Sequence, residues 1–249
     1  HPELLDWLAV NFMEQGWSIK ELHRLIMKSS TYRMSGSGSK RAMELDPDNR
    51  LLWHQPPRRL EAEPIRDNIL AVGGALDLEV GGSLLNSGNF GYVTNDQSNS
   101  NESYDSSRRA LYLPVIRNDM YPLFSTFDYC DSSVPIDARA STMVSQQALF
   151  MLNSDLVGSQ PQRLATRLLG EPSVGDDAAR IVLAYEVCFT RPPEPREIER
   201  ALEFLAKVKK ASGIGRSLEW PPSMAESEIL DPEIHAWRNF CQVLMSSNE

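Results

Sequence analysis

Residues 103–156 read SYDSSRRALYLPVIRNDMYPLFSTFDYCDSSVPIDARASTMVSQQALFMLNSDL, and the rest of the chain is organised around them. Arg108, Arg109, Arg117 and Arg139 crowd together here with aspartates and tyrosines. Within the stretch Arg109–Arg117 (RALYLPVIR) partly alternates, with Leu111, Leu113 and Val115 on one side and Tyr112 on the other. That period predicts a strand, and Pro114, which has no N–H to give to a ladder, puts it at a sheet edge. Residues 142–152 predict a helix with Val144, Ala148 and Leu152 on one face and Gln147 beside them. Asn153-Ser154-Asp155 ends it.

Outward from that block the sequence is helical. Toward the N-terminus, residues 2–15 predict a helix with Pro2 in the first turn and a stripe of Leu4, Leu5, Leu8 and Phe12. Gly16 stops it, and Ser18 with Glu21 forms a capping box for a second helix whose Ile19, Leu22, Leu25 and Ile26 face a core. A flexible SGSGSK loop and an Asp46-Pro47-Asp48-Asn49 turn follow. A helix is predicted over 61–76, with Ile65, Ile69, Val72 and Leu76 apolar and Arg59, Glu61, Arg66 and Asp67 at its start. Residues 79–107 are a long irregular loop, with Phe90–Thr94 as a short strand within it. Toward the C-terminus, helices are predicted over 161–169, 176–189, from Pro195 through Val208, and over 232–245, with a loop over 211–223. Short connections imply antiparallel neighbours.

These elements predict a mainly α, multi-helix, bundle-like domain with a long irregular central segment and at most a small β-hairpin. One domain is expected over 1–249, with N-terminal helices over 1–78, the irregular Arg- and aromatic-rich segment over 79–141 and C-terminal helices over 142–249. His1 already reads as the first turn of a helix and Glu249 follows no closing signal, so the expected chain is truncated at both ends.

Composition narrows the function. A net charge of −9 and a pI of about 5.1 repel phosphate backbones, so nucleic acid is not an expected partner. No window approaches the roughly 20 apolar residues of a membrane span. Cys130, Cys188 and Cys241 match no zinc or haem spacing, and Cys188 and Cys241 fall at apolar helix positions. The sequence has no HExxH, no GxSxG elbow, no P-loop and no GxGxxG between a strand and a helix. Asp128, Asp131 and Asp137 could gather calcium, but not at EF-hand spacing, and no metal is assigned.

What remains is arginine beside aromatic and acidic residues. The planar fork of Arg suits carboxylate, sulfate or phosphate, so Arg108, Arg109, Tyr112, Asp128 and Arg139 form a candidate binding cluster, with His23 or Arg66 facing it. In an enzyme the arginines would hold an anionic group and an aspartate would act as base. The bland alternatives stand beside this. In one, buried Asp105, Asp119 and Asp137 take the arginines and keep an irregular segment ordered; in the other, a lone His on an apolar helix edge is a core residue rather than a ligand.

Motifs run through the whole chain: HPELLDWLA, GWS-x-K-x-LHR-x-I, DPDNRLL at 46–52, RRLEAEPIRD at 58–67, YD-x-x-RR at 104–109, YLPVIRN at 112–118, STFDY at 125–129, QALFMLNS at 147–154 and AWRNFCQ-x-LM near the end. With these the chain resembles the planctomycete-type C-terminal domain of unknown function (the domain of unknown function 1553 family). It departs from the pattern at Ala110 where Ser is usual, at Ser145 where Pro is usual and at Cys130 where Pro is typical. The resemblance implies an extracytoplasmic, secreted or periplasmic location and no cofactor in this chain, with haem c carried elsewhere in full-length relatives. It implies upstream domains of the same polypeptide as partners; extracellular polysaccharide is a further candidate partner, which the resemblance does not itself supply. It implies no mechanism. Two functions stay open: a structural or ligand- and partner-binding module, for which an exposed apolar face on the N-terminal helices is the distinguishing feature, and a redox or hydrolytic, polysaccharide-related enzyme completed by upstream domains.

Overall fold

The computed structural model describes residues 1–36, 38–84, 104–116, 119–212 and 231–247. Of these, 56% are helical and essentially none lies in a strand, so the mainly α expectation holds. The predicted strand at Phe90–Thr94, Arg117 and most of the 211–223 loop lie outside the described residues. No described helix is long and apolar enough to cross a membrane. The chain divides into two compact units, His1–Arg59 and Leu60–Glu249.

In the first unit, α1 (Pro2–Glu14) and α2 (Ile19–Lys28) form a hairpin. Gly16 and Trp17 both take left-handed backbone (φ 71° and 62°), which turns the chain between them. The Ser18 hydroxyl accepts from the Glu21 N–H at 3.4 Å and so caps α2. Leu8 and Phe12 of α1 and Leu22 and Leu25 of α2 are half-buried, and neither helix buries a side chain completely. A short α3 (Lys40–Leu45), not foreseen in the sequence, starts from a Ser39 cap that accepts from the Ala42 N–H at 3.1 Å. Asp46 then organises the DPDNRLL turn: its carboxylate accepts from the N–H groups of Arg50 (2.9 Å) and Leu51 (2.8 Å), and Trp53 Nε1 donates to its carbonyl at 2.9 Å. The Leu51 N–H, with burial opposing, holds the Asp46 carboxyl below its ordinary value.

The second unit has two cores. In the first, α7 (Asp155–Leu169), α8 (Asp177–Phe189), α9 (Pro195–Ser212) and α10 (Pro232–Met245) pack around Trp237, whose side chain is fully buried with Leu164, Leu168, Ile181, Leu205 and Cys241. In the second, α4 (Ala62–Val72), α5 (Pro122–Thr126), α6 (Ser145–Asn153) and a 3-10 turn at Ala110–Tyr112 enclose Ala62, Ala110, Leu113, Leu123, Phe124 and Phe127. Helix α4 serves both, with Ile65 against the second core and Val72 against the first. Its C-cap, Gly73, lies so close to α7 that a Cβ there would sit 2.2 Å from Gln160 Oε1.

Two expectations are corrected. Residues 109–117 form no strand; their described part makes the 3-10 turn, and only an isolated bridge joins Asp77 to Arg108 among the described residues. At its start the Ala110 N–H, and just before it the carbonyls of Ser106 and Arg108, are met by side chains of α4, as set out below. The helix expected at 161–169 begins six residues earlier, at Asp155, because Ser154 caps it by accepting from the Val157 N–H at 3.4 Å. Pro161 therefore sits inside α7, where its missing N–H costs one intrahelical bond. Asn153-Ser154-Asp155 is at once the end of α6 and the start of α7.

Candidate functional site

The first two turns of α4 face the central block, and they grip it at two places. The first grip is Arg66, only 1% exposed. One of its amino groups donates to the Arg108 carbonyl at 2.7 Å and the other to the Ser106 carbonyl. Asp67, 3.5 Å from Arg66, accepts from the Ala110 N–H at 2.7 Å. An aspartate and an arginine adjacent on one helix thus take the donor and acceptors that a neighbouring strand would otherwise meet, which is why 106–110 is ordered without a sheet. Beside this grip Tyr121 stacks on Tyr104 with centroids 5.0 Å apart, and burial, opposed by Arg66, raises the Tyr121 phenol above its ordinary value.

The second grip is Arg139. Its guanidinium forks onto Glu63 at 2.7 and 2.9 Å and also reaches Glu61 at 2.7 Å. Its Nε donates to Cys130 Sγ at 3.1 Å, and the group lies over the Tyr129 ring at 4.9 Å. Burial works to raise the Glu63 carboxyl, but the hydrogen bonds and charge of Arg139 bring it below its ordinary value. The Glu63 bonds correspondingly raise Arg139.

The other candidates occupy separate places. Arg108, Arg109 and Tyr112 come together: Arg108 lies over the Tyr112 ring at 4.2 Å, and Arg109 donates to the Tyr112 hydroxyl at 3.4 Å. Arg108 also donates to the carbonyls of Glu79 (3.2 Å) and Gly81, and the Gly81 N–H donates to the Tyr112 hydroxyl at 3.0 Å. Gly81 and Gly82 have φ of 88° and 76°, a conformation that needs glycine, so this contact set holds the turn that starts the long loop. The Gly81 N–H, against burial and aided by Arg109 and Arg108, draws the Tyr112 phenol below its ordinary value. Asp128, itself in left-handed backbone (φ 57°), binds Thr142 through its N–H (2.7 Å) and hydroxyl (2.9 Å) and ties off the 129–141 loop. Asp137 accepts from the next residue's N–H at 2.9 Å, and Asp131 from that of Ser133 at 2.7 Å. No three His, Cys, Asp or Glu among the described residues lie close enough to hold a metal ion. His23 belongs to the other unit and is exposed on α2.

The partners of the arginines also differ from those expected. Arg66 and Arg108 hold backbone carbonyls, and Arg139 holds Glu61 and Glu63. Glu63 escaped the sequence reading because an acidic residue in the first turn of a helix already has a reason to be there, the helix dipole. A family model described as PSD1, protein of unknown function (DUF1553), matches residues 1–205. The chain belongs to this DUF1553 family. No curated protein and no solved structure matches it. The DUF1553 match contains the first unit and both grips of α4 and ends at Leu205 within α9, short of α10, which the sequence reading assigned to the family's last helix.

Proposed function

We propose that this DUF1553 chain is a structural, partner-binding module of a larger secreted protein, and that its N-terminal unit supplies the docking face. One observation carries the proposal. Helix α1 buries no side chain completely, and its Leu4, Leu5, Trp7, Val10 and Met13 are 48–68% exposed. Large apolar side chains left exposed together along one helix are the kind of surface that marks an interface. The occupant we assign is another folded domain of the same polypeptide, extracytoplasmic, with haem c on that neighbour rather than here. An enzyme completed by the neighbour draws less support, because Arg66, Arg139 and Asp128 each hold internal partners.

Hydroxyl-radical footprinting tests the docking face. In the 1–249 chain Trp7 and Met13 are expected to oxidise readily, and in the full-length protein to be protected several-fold. Equal oxidation in both would overturn the assignment.

A further inference from the structure

We propose that α2 carries a binding site for an acidic polysaccharide, separate from the apolar face of α1. Lys20, His23, Arg24 and Lys28 share one exposed face of α2 with Met27. Lys20, Arg24 and Lys28 recur every fourth residue, so their charges form one stripe with steps of about 6 Å along the helix. A stripe of that kind suits a chain bearing repeated anionic groups better than a single ion. Among the described residues only Arg24 of the three is drawn into an ion pair, with Glu21 one turn away.

The electrostatic setting favours this helix. Residues 1–59 hold nine lysines and arginines against seven aspartates and glutamates, a balance of +2, which leaves −11 for the remainder of a chain whose total is −9. Polyanions are repelled by that remainder and the contact is confined to the stripe. Arg66, Arg108 and Arg139 do not compete, since their guanidinium groups hold carbonyls and glutamates.

Two exposed rings make a sugar the better occupant. Trp17, 64% exposed, precedes the N-cap of α2, and Tyr32, 49% exposed, follows its last turn. Trp17 is steadied by an edge contact to Phe12 at 5.3 Å, so its ring is held in place while most of it faces solvent. Sugar rings present apolar C–H faces that stack on such rings while their carboxylates or sulfates meet the cations. Of the apolar stripe expected to face a core, Leu22 and Leu25 are half-buried in the hairpin while Ile19 and Ile26 stay exposed, so a lipid surface is the competing occupant and anionic vesicles are one arm of the test.

The test is affinity electrophoresis of the 1–249 chain through gels holding polygalacturonate or dextran sulfate, with neutral dextran, poly-glutamate gels and anionic phosphatidylglycerol vesicles alongside. Retardation is expected by at least one of the two acidic polysaccharides and not by dextran. Lys20→Gln/Arg24→Gln/Lys28→Gln should weaken it at least ten-fold and Trp17→Ala/Tyr32→Ala several-fold, while Arg108→Gln leaves it unchanged. In the unsubstituted chain, with about three charges neutralised, raising salt from roughly 50 to 200 mM should cost on the order of twenty- to forty-fold in affinity. No retardation, retardation unaffected by the triple substitution, or equal binding to poly-glutamate or vesicles without dependence on the two rings would overturn the proposal. The footprinting of α1 is done on the unsubstituted chain, so its result is read independently of these variants.

Discussion

Replacing Arg66 by Met asks whether the central arginines hold the fold or await a ligand. Methionine fills much of the same space without charge or donors. Two hydrogen bonds from a charged group are lost, to the carbonyls of Arg108 (2.7 Å) and Ser106, and bonds to charged groups contribute about 1.5–3 kcal/mol each. Against this stands the relief of a cation that is 1% exposed, since removing a charge from the interior recovers part of its desolvation cost. Asp67 loses its neighbour at 3.5 Å but keeps the Ala110 N–H. The net expectation is a loss of about 2–4 kcal/mol, because two carbonyls are left without donors beneath an irregular segment. At roughly 2–4 °C per kcal/mol for a unit of this size, Tm should fall by roughly 5–15 °C. Urea unfolding followed by far-ultraviolet circular dichroism reads the change, with Arg108→Met, at a half-buried site, as the comparison. A loss under about 0.5 kcal/mol for Arg66→Met would refute the reasoning, for a guanidinium that can be removed at no cost from a buried site is not holding the backbone around it.

Two further predictions concern titrating groups. Glu63 has its carboxyl below the ordinary 4.5, so its pair with Arg139 stabilises fully above that value and the contribution is lost as pH falls through the lowered one; Glu63→Gln should therefore unfold more easily at neutral pH and show a shallower loss of stability below about pH 5, measured by urea midpoints across pH. Burial pushes the Cys188 thiol up to about 12, and burial first and then Cys188 push Cys241 up as well, so Ellman's reagent should titrate no more than one thiol, Cys130, in the native protein and all three in denaturant; fast reaction of a second thiol would count against a closed core around Trp237.

The parts of the fold legible in the sequence are those whose cause is local. Helix α10 spans Pro232–Met245 as its period predicted, and Ser18 caps α2 as the capping signature predicted, because periodicity and caps are set within a few residues. Alternation at 109–117 misled for the opposite reason. The groups that satisfy this backbone, Arg66 and Asp67, lie some forty residues earlier, and a short apolar alternation does not say whether a strand or a side chain will meet it. The start of α7 was displaced by Ser154, whose capping outweighed the preference of proline for a first turn. At the candidate site the residue types were legible and their partners were not: a first-turn glutamate such as Glu63 looks the same whether it meets a dipole, water or Arg139.

The richness of 103–139 in arginine has a physical cause that needs no ligand. A segment without helix or ladder leaves carbonyls facing inward, and each must find a donor or be lost to the cost of burial. Arginine is the side chain that brings several donors on one rigid fork, and it can lie over a tyrosine ring while it does so, as Arg108 does over Tyr112 and Arg139 over Tyr129. The aromatic residues of the block fill the space between these forks: Phe124 stacks on Tyr129 with centroids 4.5 Å apart, beneath the ring that Arg139 covers. Arginines and aromatic residues clustered in a sequence therefore mark irregular backbone as readily as a binding pocket. What separates the two is whether the forks already have acceptors. For Arg66, Arg108 and Arg139 they do, at Ser106, Arg108, Glu79 and Glu63; along α2, Lys20 and Lys28 form no ion pair among the described residues, which is why the proposed recognition is placed there and along α1.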